Sequence, residues 1–108
     1  METIKFDYDG KHYVLGYSRE SVKQIEAQGF VLEELNKKPL TMIPLLFYGA
    51  FAINHRGIKR KLTDEIWEKI KGEEILAALI EMYSQTVSDL LGVDEDSENP
   101  NRIVWERG

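Results

Sequence analysis

The sequence predicts an α+β domain: an N-terminal β-hairpin packed on a bundle of four to five helices, with a flexible acidic C-terminal tail. Three observations predict it. Asp9-Gly10 stands between two short alternating segments, the strongest short-range hairpin signal. From Ser18 to Leu91, apolar residues recur at helical spacing between Gly, Pro and Ser/Thr punctuation. After Gly92 that periodicity gives way to Asp94-Glu95-Asp96-Ser97-Glu98 and Asn99-Pro100-Asn101. Residues 1–92 are therefore expected to form a single domain, and residues 93–108 an acidic, loosely held tail.

The hairpin is expected over residues 3–17. A two-residue Asp-Gly turn of type I′ fixes the register, setting Tyr8 against Lys11, Phe6 against Tyr13 and Ile4 against Leu15. One face then carries Ile4, Phe6, Tyr8, Tyr13 and Leu15, while Lys5, Asp7, His12 and Val14 point away. Two strands alone are marginal in water, so the apolar face must cover the helices that follow.

Ser18 is placed to cap a helix over Arg19 to Gln28, with Val22 and Ile25 inward and Gly29 as its stop. A short helical piece over 31–37 brings Leu32 and Leu35 together before Pro39 breaks it. Thr41 is the expected cap of an apolar helix over 42–55, with Pro44 in its first turn. Only Thr41, Pro44 and Gly49 interrupt the apolar run Leu40–Ile53, so this helix is expected at the centre of the core. Glycine there costs roughly 1 kcal/mol against alanine, which points to a notch for a closely approaching helix. A basic connector, 55–61, leads to a helix capped by Thr63 and running to Lys71, with Ile66, Trp67 and Ile70 inward. The last helix is expected over Glu73–Leu91, where Leu76, Leu79, Ile80, Tyr83, Val87, Leu90 and Leu91 recur at helical spacing.

At 108 residues with a net charge of −5, the chain fits one domain whose surface is not cationic, which disfavours nucleic acid as the default partner. With no cysteine it has neither disulfides nor thiolate chemistry, compatible with a reducing cytosol. The N-terminus carries no basic leader followed by an apolar run, so no signal peptide is expected. As a helix Leu40–Ile53 would span about 21 Å, short of the roughly 30 Å hydrocarbon layer. No membrane association is expected.

Candidate chemistry is sparse. His12 faces Asp7 across the hairpin, which is read as a surface cross-strand pair. His55 falls at the end of the apolar helix, where the dipole favours a cation, and two histidines so far apart make no zinc motif. A calcium loop needs an internal glycine and a closing glutamate, whereas here the glycine precedes the acidic run and Pro100 interrupts it. No phosphate-cradling glycine loop is present, so the expectation is no enzyme, no cofactor and no metal. One feature is suited to nucleic acid, the basic patch Arg56, Lys59, Arg60 and Lys61, although Glu65 and Glu68 on the following helix would repel phosphate. The spacing of Leu76, Ile80, Tyr83, Val87 and Leu90 is that of a short coiled-coil seam, which serves either the domain's own core or a partner. Ile103-Val104-Trp105, in a polar terminal segment, either docks back onto the domain or anchors a partner. The partner-binding candidates are thus Leu76, Ile80, Tyr83, Val87, Ile103, Val104 and Trp105.

The order of elements has a counterpart. A hairpin is followed by Val22-Lys23-Gln24-Ile25-Glu26-Ala27-Gln28-Gly29-Phe30, then Pro39-Leu40 and Leu45-Leu46-Phe47-Tyr48-Gly49-Ala50-Phe51. His55, a basic loop, Leu62-Thr63-Asp64-Glu65 and one long final helix with an acidic tail complete the series. Over residues 3–92 this resembles the small tail assembly chaperones of long-tailed bacteriophages and prophages. The resemblance implies a protein that coats the helical tape-measure protein, keeps it soluble, recruits tail-tube subunits, and leaves before the virion is complete. It further implies self-association into a homo-oligomer, residence in the host bacterial cytoplasm, and in many members a longer frameshifted form. It transfers no ligand or catalytic residue. The alternatives are a small phage or prophage regulator that binds nucleic acid through the basic loop, and a structural tail or head-completion subunit.

Overall fold

The strands β1 (Ile4–Tyr8) and β2 (Lys11–Leu15) pair antiparallel in the register the turn dictates, with Ile4 opposite Leu15 and Tyr8 opposite Lys11. Asp9 and Gly10 take φ of 51° and 79°, the two positive values a type I′ turn needs, which Gly adopts without penalty and Asp tolerates. In this computed structural model, residues 3–92 are described. Four helices follow the hairpin: α1 (Arg19–Ala27), α2 (Pro39–Gly49), α3 (Arg60–Ile70) and α4 (Glu73–Leu91), with a 3₁₀ turn at Leu32–Glu34 between the first two. The expected α+β architecture is what forms. The expected tail, 93–108, lies outside the described residues.

Tyr13 and Leu15 turn the inner face of the hairpin into the core, and Phe6 stacks on Tyr13 at 5.4 Å between centroids. Phe47 and Phe51 meet edge-to-face at 5.0 Å beneath that face, and Trp67 of α3 closes on Phe47 at 4.9 Å. The outer edge of β2 is not left open. The Gly16 N–H donates to the Ala50 carbonyl (2.9 Å), the Val14 N–H to His55 Nε2 (3.0 Å), and Asn54 Nδ2 to the Val14 carbonyl (3.2 Å). The turns after α2 thereby satisfy a strand edge that would otherwise pair with another chain.

Ser18 caps α1 as expected, in a reciprocal arrangement. Its Oγ accepts the Ser21 N–H at 3.2 Å, and Ser21 Oγ accepts the Ser18 N–H at 2.8 Å, so two orphan donors are satisfied. Val22 and Ile25 are buried as the spacing required.

Two helix starts differ from expectation. Thr41 does not cap the apolar helix; Lys38 is the N-cap, its carbonyl accepting from Met42 N–H at 2.8 Å, and Pro39 opens the helix. Proline suits that first position because its missing N–H is an orphan there anyway, while it forces the preceding residue out of helical geometry. The helix also ends at Gly49 rather than running to 55, and residues 50–54 form successive turns. Tyr17 accompanies that end: its buried hydroxyl donates to the Leu46 carbonyl at 2.7 Å, taking the place of a helical N–H. Thr63 likewise is no cap. α3 begins at Arg60, Lys59 is its N-cap, and Thr63 is buried with its hydroxyl donating to the Arg60 carbonyl at 3.0 Å. The piece expected over 31–37 contracts to the 3₁₀ turn, with Leu35 buried and Leu32 half-buried. α4 runs Glu73–Leu91 as expected, with Glu73 and Glu74 in a first turn where the dipole favours acids.

Candidate functional site

Pro44 sits inside α2 and has no N–H to offer the Leu40 carbonyl one turn earlier. Leu40 itself, on the first turn, is 91% exposed, an extreme value for a leucine. It stands over a groove of about 440 Å³ where α2, α3 and the start of α4 meet, floored by Ile43, Pro44, Trp67 and Leu76. Glu68 and Lys71 border it and pair with each other at 2.7 Å. An apolar floor with a charged rim suits a side chain row from an amphipathic helix.

A second pair of grooves flanks α1 and the C-terminal half of α4. One, of about 670 Å³, is floored by Tyr17 and Met82 and edged by Leu90. The other, of about 200 Å³, runs past Val22, Val87, Leu90 and Leu91, of which Leu91 is 70% exposed.

The seam residues of α4 therefore part company. Tyr83 is turned inward, edge-on to Tyr17 at 5.6 Å and to Phe30 at 5.0 Å, and its ring is not offered to a partner. Burial pushes its phenol up to about 12. Leu79 and Met82 join it in the core. Leu76 lines the α2–α3–α4 groove, Val87 lines the smaller α1–α4 groove, and Ile80 lies half-buried on the helix between them. Ile103, Val104 and Trp105 lie outside the described residues. Sequence reasoning missed Leu40, because it opens an apolar run that reads as buried; Pro39 just before it was the available sign of a helix start.

The basic patch is only partly free to act. Arg60 pairs with Asp64 one turn on (3.1 Å) and lies over the Tyr48 ring at 5.6 Å. Arg56, Lys59 and Lys61 are exposed. His12 Nδ1 and Asp7 Oδ1 stand 2.7 Å apart, both side chains well exposed, as the register required.

His55 does not act as the cation expected of a helix C-terminus. It lies beyond the end of α2, and its Nε2 receives the Val14 N–H, which needs an unprotonated nitrogen. Desolvation first, then the charges of Lys11 and His12, lower its pKa from the usual value of 6.5. Among the described residues no group of three or more His, Asp or Glu is placed to hold a metal ion, and no helix is long and apolar enough to cross a membrane.

Residues 1–106 match the family model described as Domain of unknown function (DUF5055). The chain belongs to this family. The DUF5055 match takes in the hairpin, all four helices and the segment containing Ile103, Val104 and Trp105. No curated protein and no solved structure matches the chain.

Proposed function

We propose that this protein is a tail assembly chaperone of a long-tailed phage or prophage. In that role it holds apolar helical stretches of the tape-measure protein, recruits tail-tube subunits in the host cytoplasm, and leaves before the particle is finished. The observation that carries the reading is Leu40, 91% exposed on the rim of a groove that Leu76 helps to floor. A leucine held in water on a rigid helical turn is an unused contact, and a helix that covers it gains roughly 1.5–3 kcal/mol from that side chain alone. The resemblance in element order supplies the partner's chemistry, a long helix with an apolar stripe.

Co-expression with the tape-measure protein that this reading assigns as partner tests it. The wild-type chain is expected to keep that protein soluble and to co-purify with it, and Leu40→Asp to lose the association by at least about tenfold, the factor that 1.4 kcal/mol supplies. Asp at the second position of a helix is favoured by the dipole, so the variant separates binding from folding. Two folded proteins that fail to associate at micromolar concentration would sink the proposal. Steeply salt-dependent duplex binding, lost on Arg60→Glu with Lys61→Glu, would replace it with the regulator reading.

A further inference from the structure

The hairpin has two outer edges, and the turns after α2 cover the one on β2. There Val14 points its backbone outward, its N–H donating to His55 Nε2 and its carbonyl accepting from Asn54 Nδ2. Val14 lies opposite Lys5, and His12 opposite Asp7. Residues opposed in a non-hydrogen-bonded pair turn their backbone groups away from each other, so the N–H and C=O of Lys5 and Asp7 line the outer edge of β1. Among the described residues no backbone outside the hairpin hydrogen-bonds to them. Lys5 and Asp7 are exposed, while Ile4, Phe6 and Tyr8 on the inner face are half-buried against the core. A strand edge in this state is a template for a further strand.

We propose that the strand added to this edge is β1 of a second copy of the chain, antiparallel, joining two two-stranded sheets into one of four strands. Backbone and charge together select the register. With a twofold axis at Phe6, Lys5 of each copy meets Asp7 of the other, and each such pair exchanges both of its N–H···O=C bonds. A slip of one residue would set outward backbone groups against inward ones. A slip of two would set Lys5 against Lys5 or Asp7 against Asp7, and like charges directly opposite repel. The central register alone joins opposite charges at both positions. Lysine on an edge ordinarily discourages pairing, but Asp7 on the same face removes that repulsion for this strand. On the inner face the two Phe6 side chains come side by side, and Ile4 of each copy comes beside Tyr8 of the other, continuing the apolar row of the core.

The contact uses neither the groove at Leu40 nor a different protein, so it holds or fails independently of the chaperone reading. Isotope-filtered spectra of a sample mixing labelled and unlabelled full-length chains test it. A cross-peak between the Phe6 Hα protons of different chains is expected, since opposed residues come closest in a non-hydrogen-bonded pair. The Lys5 and Asp7 amides should gain protection from exchange as concentration rises. In sedimentation equilibrium Lys5→Asp should weaken the dimer by about tenfold, because both cross-strand pairs turn repulsive. Asp7→Lys should do the same, and combining Lys5→Asp with Asp7→Lys should restore dimerisation. Both side chains are exposed, so an unchanged circular dichroism spectrum separates lost pairing from lost fold. A chain that sediments as a monomer at the concentration of the spectra overturns the proposal. So does a dimer indifferent to both single substitutions. Lys5 and Asp7 amides equally protected at every dilution would also overturn it, by showing the edge covered within one chain.

Discussion

Gly49→Ala offers a sharp test of how the core is assembled. Gly49 closes α2 where α1 crosses it, and a Cβ built there overlaps Ile25 Cγ2 and comes within 3.2 Å of Ile25 Cδ1. Ile25 is fully buried and β-branched, so its Cγ2 cannot rotate away as a flexible side-chain end would. The backbones must part instead, and such overpacking costs about 1–3 kcal/mol. Alanine returns less than about 1 kcal/mol of helix propensity at this terminal position, leaving a net loss of about 1–2 kcal/mol. In a domain of this size that lowers Tm by about 4–8 °C for each kcal/mol. Urea unfolding followed by far-UV circular dichroism reads the change, with m unaltered. The same substitution in an Ile25→Ala background, itself costing about 2–5 kcal/mol, should be neutral or stabilising because the obstructing branch is gone. A Gly49→Ala protein as stable as wild type would refute the notch.

Tyr17→Phe strands the Leu46 carbonyl in the core and is expected to cost about 1–3 kcal/mol in the same assay. Ser18→Ala breaks the reciprocal cap of α1 at about 1 kcal/mol, with little change in the groove at Leu40. For His55 the sign follows from its lowered pKa: as pH falls through 6.5 the unfolded chain binds the proton before the folded one, so stability is full above that value and declines below it. His55→Gln keeps an acceptor for the Val14 N–H but cannot titrate, so acid unfolding profiles of variant and wild type should diverge only on the acid side of 6.5.

The sequence made the hairpin legible because a two-residue turn leaves one register, and alternate residues then fall on fixed faces. The cap at Ser18, the notch at Gly49 and the bounds of α4 were legible for a related reason: each rests on a local rule with few competitors. The starts of α2 and α3 were not. Thr41 and Thr63 are competent caps by chemistry, but Pro39 is already preset for a first helical turn, and Thr63 is more useful buried than exposed. Arg60 and Lys61 opening a helix runs against the dipole, and the Asp64 partner that eases it is visible only once the helix is known to begin there. The grooves were hidden more deeply. Periodicity said that Leu76, Ile80, Tyr83 and Val87 share a side of α4, but the aromatic residues Tyr17 and Phe30 decide that Tyr83 goes inward. Leu40 belonged to an apolar run, and that it stands in water is visible only in the folded chain.

The central claim is that the groove beneath Leu40 is where a partner helix lies. Methyl-labelled spectra of the chain, titrated with a soluble helical fragment of the proposed partner, a tape-measure protein, test that claim most directly. Shifts concentrated on the methyls of Leu40, Ile43 and Leu76, absent with Leu40→Asp, are the expected result. Shifts confined to the loop bearing Arg56, Lys59 and Lys61, with the Leu40 methyls unmoved, would contradict it.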